Sequence, residues 1–286
     1  MEGDNNMVGK LYLVPTPIGN LKDMTIRGVE VLTSVDIVAA EDTRQTLKLL
    51  NHFNLKKTLV SYHQHNEQGK SESIIDQLRD GKSVAIVTDA GTPGISDPGA
   101  VVVKKCIEEG IEFEVLPGAT AITTALVYSG LDTTKFLFRG FLSRETKERK
   151  AVMDEVKDSK ETLIFYESPH RLLSTFSFLQ ENLGDRNISV CRELTKIHEE
   201  IKRGKISEMI DYFSQINIKG EFVLVVEGKR QEDIDKENED KWANISIKDH
   251  IIMLVDQGIT KKEAIKIVSK ERNISKKEVY KESFDI

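Results

Sequence analysis

The chain has 286 residues, room for two domains and a small appendage at the usual ~100 to 200 residues per domain. Hydrophobic residues make up 39% and charged residues 31%, and no apolar run approaches the ~20 residues a bilayer-spanning helix needs. The net charge of −6 argues against a surface coated in basic residues for non-specific nucleic-acid binding, although a local basic patch is compatible with it.

Residues 1–9 are polar and acidic where a secretory signal would be basic and then apolar. A flexible N-terminus and a cytoplasmic location are the expectations. Cys106 and Cys191 lie far apart and fit neither a C-x-x-C nor a metal-ligand spacing, so reduced, structural thiols are expected. His63 and His65 would share one face of a strand. Two ligands without a third make a poor metal site, and no metal is expected.

From Lys10 the apolar runs LYLV, VDIVAA, TLVSYH, SVAIVTD and FEVLPG alternate with helical patterns, notably over 67–80 and 98–109. Five strands interleaved with helices imply a mostly parallel sheet with right-handed crossovers, spanning 10–119. The first strand ends in the Pro- and Gly-rich loop PTPIGN, which is neither G-x-G-x-x-G nor a Walker A loop. The second runs into EDTR and the third into YHQHNE, where Asp42 and Asn66 suit helix N-caps. Capping does not account for Arg44, Tyr62 or His63.

The stretch VAIVTDAGTPGISDPG, 84–99, reads as a buried strand that delivers a tight polar turn at its C-terminal end. In open α/β sheets, ligands bind there. The fifth strand ends in LPGAT, followed by a small-residue run. A helix starting at Gly118 or Thr120 would offer free backbone N–H groups and a close approach to its backbone.

A second α/β domain is expected over 120–230, with strands FLFRGF, TLIFYES, ISVCREL and EFVLVVEG and helices over 145–157, 170–183 and 206–213. Its strand ends are polar: Arg139, then Glu167 with His170 and Arg171, then Arg192 with Glu193, Lys196 and His198. Any one of these is accounted for by a solvated rim; their recurrence points to a functional face. Residues 231–244 are strongly acidic and read as a linker. Residues 245–286 read as a small, mildly basic helical extension over 247–257, 261–270 and 276–283. Its helix-turn-helix spacing permits nucleic-acid contact, and solvated amphipathic helices fit equally well.

Read together, VPTPIGNLKDMTIRG, EDTR, YHQHNE, TDAGTPGISDPG, LPGAT, YESPHR, CRELTKIHEE and GEFVLVVEG resemble one family. It is the bacterial ribosomal RNA small-subunit methyltransferase I family of the tetrapyrrole (corrin/porphyrin) methylase superfamily, matched over about residues 10–230. The resemblance implies an α/β fold class: two α/β domains of the tetrapyrrole methylase type with a cofactor cleft between them, plus a C-terminal helical extension. It implies S-adenosylmethionine as donor and a homodimer. The implied reaction is 2′-O-methylation of a cytidine in the decoding centre of 16S rRNA, in the small ribosomal subunit. Carried onto matching positions, it implies donor binding by Thr92, Gly94, Ile95, Thr120, Ala121 and Tyr166, with Pro17 and Ile18 closing the pocket.

A ribose hydroxyl is a weak nucleophile until it shares its proton, so a positioned base is expected beside good alignment. The candidates are Glu41, His63, Glu67, Glu167 and Glu193, with His63 and Glu67 favoured. Arg44, Arg139, Arg171, Arg192 and Lys196 suit phosphate contacts. A donor whose positive charge falls during transfer calls for a polar, mostly uncharged lining. Asp97 and Pro98 read as the cap of the following helix. One alternative is another superfamily enzyme acting on a corrinoid or porphyrin precursor, for which a GPGDP-like first loop would be expected in place of TPIGN. A non-enzymatic RNA-binding module is the other, and it would lack a donor pocket.

Overall fold

The computed structural model describes residues 8–284, and of 237–240 the backbone alone; the flexible stretch expected at 1–9 lies outside the described residues up to position 7. The first unit runs β1 (Leu11–Leu13), α1 (Ile26–Ser34), β2 (Ile37–Ala40), α2 (Thr43–His52), β3 (Thr58–Ser61), α3 (Glu67–Arg79), β4 (Val84–Val87), α4 (Ala100–Glu109) and β5 (Phe113–Val115). Its sheet has the order β3-β2-β4-β1-β5, and every pairing is parallel.

The residues of β4 explain why it lies at the centre. Val84 and Ile86 join a core with Ile75 and Leu78 of α3 and Val102 and Cys106 of α4. Ala85 and Val87 join the opposite core, with Leu32 of α1 and Leu50 of α2. A strand apolar on both faces needs helices on both faces, and a parallel sheet supplies them. The chain therefore leaves β1 toward one face and leaves β4, its neighbour, toward the other. Adjacent strands whose connections diverge open a crevice at their C-terminal ends.

The second unit runs α5 (Ala121–Ser129), β6 (Phe136–Phe141), α6 (Thr146–Val156), β7 (Thr162–Glu167), α7 (Leu172–Leu183), β8 (Asn187–Arg192), β9 (Glu200–Lys205), α8 (Ile206–Ser214) and β10 (Phe222–Val226). Its sheet order is β6-β7-β10-β8-β9, with only β6 and β7 parallel. Two features go beyond what the sequence shows. Strand β9, of sequence EIKRGK, escapes a reading by apolar alternation because it is a polar edge strand. The fourth expected strand, β10, is antiparallel to its neighbours, so its start rather than its end lies beside the ends of β7 and β8.

One face of this sheet, with Leu163, Phe165, Val190 and Leu224, packs on α6, α7 and α8. The other, with Ile164, Cys191, Val223 and Val225, packs on α5 and on Ile18 from the loop after β1. Burying that apolar set is what holds the first loop against the second unit.

Beyond β10 the acidic stretch expected as a linker is helical, α9 (Gln231–Trp242). It is followed by α10 (Ile247–Asp256), α11 (Lys261–Glu271) and α12 (Lys276–Lys281), which bury a small core of their own around Ile251, Ala264, Val268 and Val279. Ser246, Thr260 and Ser275 each cap the following helix through a side-chain oxygen. Among the described residues no helix is long and apolar enough to cross a membrane.

Candidate active site

A cavity of about 250 Å³ opens where the β1/β4 crevice meets the second sheet. The first unit supplies Ile18, Ala90 to Thr92, Ile95 and Asp97. Thr120 and Ala121 contribute from the start of α5, whose N-cap residue, Thr120, makes no side-chain capping bond. Tyr166 of β7, Cys191 of β8 and Val223 of β10 line the far wall, with Phe141 and the 220–222 turn at its rim. Six of the eight expected donor residues therefore come together. Pro17 faces a neighbouring groove shared with Gln45, Lys48 and Asp89. Gly94 lies on the outer side of its loop, against Val103 and Ile107.

The walls are held by specific bonds. Thr16 and Gly91 exchange backbone hydrogen bonds of 2.9 and 3.0 Å, and the Thr16 hydroxyl donates to the Thr88 carbonyl at 3.0 Å. The Thr92 hydroxyl donates to the Ala119 carbonyl at 3.2 Å, joining the loop after β4 to the turn before α5. On the far side, Glu193 and Thr195 both have positive φ, at 51° and 64°, and Leu194 between them faces the cavity. Gly220 has to be glycine, because a Cβ there would lie 2.6 Å from Glu193 Cγ.

The carboxylates at the strand ends differ sharply. Alternation along β7 places Leu163 and Phe165 in the α7 core and Tyr166 on the cavity face, so the Glu167 side chain belongs with α7. It is fully buried and accepts from Thr175 Oγ1 at 2.6 Å and from the Ser168 N–H at 2.7 Å, with Arg171 Nε at 3.6 Å. Glu167 lines the cavity, but its carboxylate is engaged by Thr175, Ser168 and Arg171 on the α7 side.

Glu193 is pinned as well. Its Oε1 accepts from Lys196 Nζ and the Glu221 N–H, both at 2.9 Å. Burial pushes its carboxyl up, but Lys196, that N–H and Arg192 outweigh burial and hold it below the ordinary range. Lys196 also reaches Glu221 at 2.8 Å.

Glu41 sits at the end of β2, accepting from the Asp89 N–H at 3.3 Å while Asp89 accepts from the Asp42 N–H at 3.1 Å. Burial first raises the carboxyls of both Glu41 and Asp89; Asp89 adds repulsion on Glu41, and Asp42 and Glu221 add it on Asp89. The favoured pair, His63 and Glu67, does not line the cavity. The Asn66 Oδ1 accepts from the His63 N–H at 2.8 Å instead of capping α3, and His63 Nδ1 is buried without a partner. Tyr62, unexplained by the sequence, is a core residue whose hydroxyl lies 3.1 Å from Ser71 Oγ.

The residue that the sequence reading misplaces is Asp97. Helix α4 starts at Ala100 with Gly99 in the cap position and no side-chain cap. Asp97 instead lines the cavity, where burial first, then Glu41 and Asp89, push its carboxyl up to about 7. The lining expected to be mostly uncharged thus holds Asp97, whose carboxyl titrates near neutrality, besides Glu167 and Glu221.

Of the five cations expected to meet phosphate, Arg44 is 86% exposed and forks onto its own cap residue, Asp42. The others are engaged: Arg139 with Glu155, Arg171 with the Leu142 carbonyl, Arg192 with the Lys219 carbonyl and Glu200, Lys196 with Glu193 and Glu221. Among the described residues no group of three or more His, Cys, Asp or Glu is arranged to hold a metal ion.

Residues 10–210 match the family described as tetrapyrrole (corrin/porphyrin) methylases. The chain is 50% identical over 273 residues to the ribosomal RNA small subunit methyltransferase I of Bacillus subtilis strain 168, covering 96% of this chain and 93% of that protein. The chain belongs to the ribosomal RNA small subunit methyltransferase I family. Another member of that family, from Thermotoga maritima, is 46% identical over 222 residues, which span its whole length and 78% of this chain. The uroporphyrin-III-C-methyltransferase of Thermus thermophilus shares the fold, with a TM-score of 0.53 at 21% identity over 78% of this chain and 93% of that one.

Proposed function

We propose that the protein transfers a methyl group from S-adenosylmethionine to the 2′-oxygen of a cytidine in the decoding centre of 16S rRNA, within the small ribosomal subunit. The observation that carries this reading is the cavity at the β1/β4 crevice, closed by the second sheet, in a chain whose near-full-length relatives are named as rRNA methyltransferases. The residues present fit the donor. Ile18, Ile95 and Val223 give apolar surface suited to an adenine, and the uncapped start of α5 offers N–H groups suited to a carboxylate. The donor supplies an electrophilic methyl group; the protein's part is to hold the acceptor oxygen in line with it and to exclude water.

Arg44 is the exposed cation of the expected set and is the proposed phosphate contact. A homodimer is also proposed, and the exposed Val127 and Tyr128 of α5 are apolar surface of the kind a second copy would cover. Labelled donor incubated with small subunits lacking the modification tests the reaction: ribose methylation is expected, and transfer to neither subunits nor free 16S rRNA would overturn the reading.

A further inference from the structure

We infer that Asp97 is the base that takes the proton of the acceptor hydroxyl, and that the cationic donor, on binding beside it, favours its ionised form. The inference rests on the methyl-transfer reading above and names the proton acceptor within that site.

The geometry singles out Asp97. It is the side-chain carboxylate delivered to the cavity by the loop after β4, and it has no hydrogen bond or ion pair among the described residues. That loop is shaped to present it. Ser96 is held at φ 62°, the Gly94 N–H donates to the Pro98 carbonyl at 3.1 Å, and Gln64 Nε2 donates to the Ser96 carbonyl at 3.3 Å. A non-glycine residue kept in the left-handed region costs free energy that a simple connection would not need, and such positions cluster at functional sites. The competing carboxylates are committed elsewhere: Glu167 to α7, Glu193 to Lys196, Glu41 to the Asp89 N–H.

The chemistry balances without any further reactant. Asp97 accepts the hydroxyl proton; the O–H electron pair forms the new O–CH3 bond; the C–S pair returns to the donor sulfur, leaving a thioether. A carboxylate and a sulfonium become a carboxylic acid and a neutral sulfide. A reaction that removes two opposite charges is favoured in a cavity sheltered from water, because the charged reactants lose more solvation there than the neutral products do.

The surroundings of Asp97 set when it carries charge. Glu41 and Asp89, at the ends of β2 and β4, oppose its ionisation, with His63 beside the first and Arg44 beside the second. Across the cavity Tyr166 is pushed up to about 12 and Cys191 to about 11, both by burial first, so neither titrates near neutrality. Glu221 at the start of β10 is paired with Lys196. An incoming sulfonium favours the ionised form of Asp97, and the neutral sulfide of the product gives no such help.

Affinities for S-adenosylmethionine and S-adenosylhomocysteine, measured calorimetrically between about pH 6 and pH 8 on the full chain and its D97N and D97E variants, test this. Donor affinity should rise about tenfold across that range, because a group titrating near 7 goes from mostly protonated to mostly ionised; product affinity should stay flat. D97N should bind the product like wild type, lose the pH dependence for the donor, and transfer methyl to unmodified small subunits at least ~100-fold more slowly, with D97E recovering part of the rate. A pH-independent ratio of donor to product affinity in wild type would overturn the inference. So would D97N transferring at the wild-type rate, or losing product affinity as much as donor affinity. A pH-dependent ratio in a wild-type protein that methylates no RNA would overturn the RNA reading and support Asp97 as the ionising group of the donor cavity.

Discussion

Thr16 and Gly91 pair backbone to backbone across the β1/β4 crevice, with N···O distances of 2.9 and 3.0 Å in the two directions. The bridge joins the loop that carries Ile18 to the loop that carries Thr92 and Asp97. The cavity and the first loop are therefore one mechanical unit.

Gly91 has φ 88°, and a Cβ there would make ordinary contacts with Ile18 Cγ2 at 3.5 Å and the Ala119 carbonyl at 3.6 Å. Gly91→Ala therefore costs backbone strain rather than a clash, about 1–2 kcal/mol. Urea unfolding should show that loss together with weaker donor binding. Unchanged donor affinity would mean that the bridge does not shape the cavity.

Arg44 and Arg171 should separate cleanly. Arg44→Ala removes an exposed side chain, so it should leave stability unchanged, raise the apparent KM for small subunits, and lower the salt slope of RNA binding by about one. Arg171→Ala should lower stability by about 1.5–3 kcal/mol, because it strands the Leu142 carbonyl and leaves buried Glu167 without its cation. Parallel melts and steady-state kinetics distinguish the two.

Glu167→Gln keeps the shape and removes the charge that Thr175, Ser168 and Arg171 satisfy. It should lower the melting temperature while turnover per folded molecule is unchanged. A selective loss of turnover at full stability would restore Glu167 as a base.

The C-terminal helices should be acid-sensitive. His250 is buried, stacked on Trp242 with ring centroids 3.5 Å apart, and 3.2 Å from both Glu271 and Arg272. Burial, helped by Arg272 and Lys241 and opposed by Glu271, lowers its pKa below the ordinary 6.5. The unfolded chain therefore binds the proton first, so stability is full above about pH 6.5 and falls as pH drops toward the lower folded value. Scanning calorimetry near pH 7.5 and pH 5.5 should show the melting temperature falling, and the fall should shrink in H250F.

The sequence made the central strands readable because β4 and β10 are unbroken apolar runs, buried on both faces in the fold. It also disclosed much of the cavity wall, since Gly- and Pro-rich turns at strand ends are visible as residues. It did not disclose β9, whose polar edge leaves no apolar signal, or the second sheet's antiparallel order, which depends on pairing and not on composition. Glu167 looked catalytic because a charged strand end reads the same whichever face it takes. Asp97 looked like a cap because Ser-Asp-Pro-Gly before a helix usually is one; only the placement of Gly99 at the cap turns its carboxyl into the cavity. The sequence also could not tell which of the expected phosphate contacts are exposed, since half-buried arginines that stitch loops together have the same composition as arginines that meet RNA.

The most direct measurement of the central claim is the site of the methyl group. Small subunits lacking the modification, incubated with the protein and labelled donor, should yield a single alkali-resistant dinucleotide containing a 2′-O-methylcytidine from the decoding centre. A label on a base, a label on another ribose, or no label in RNA from either subunits or free transcript would contradict the account.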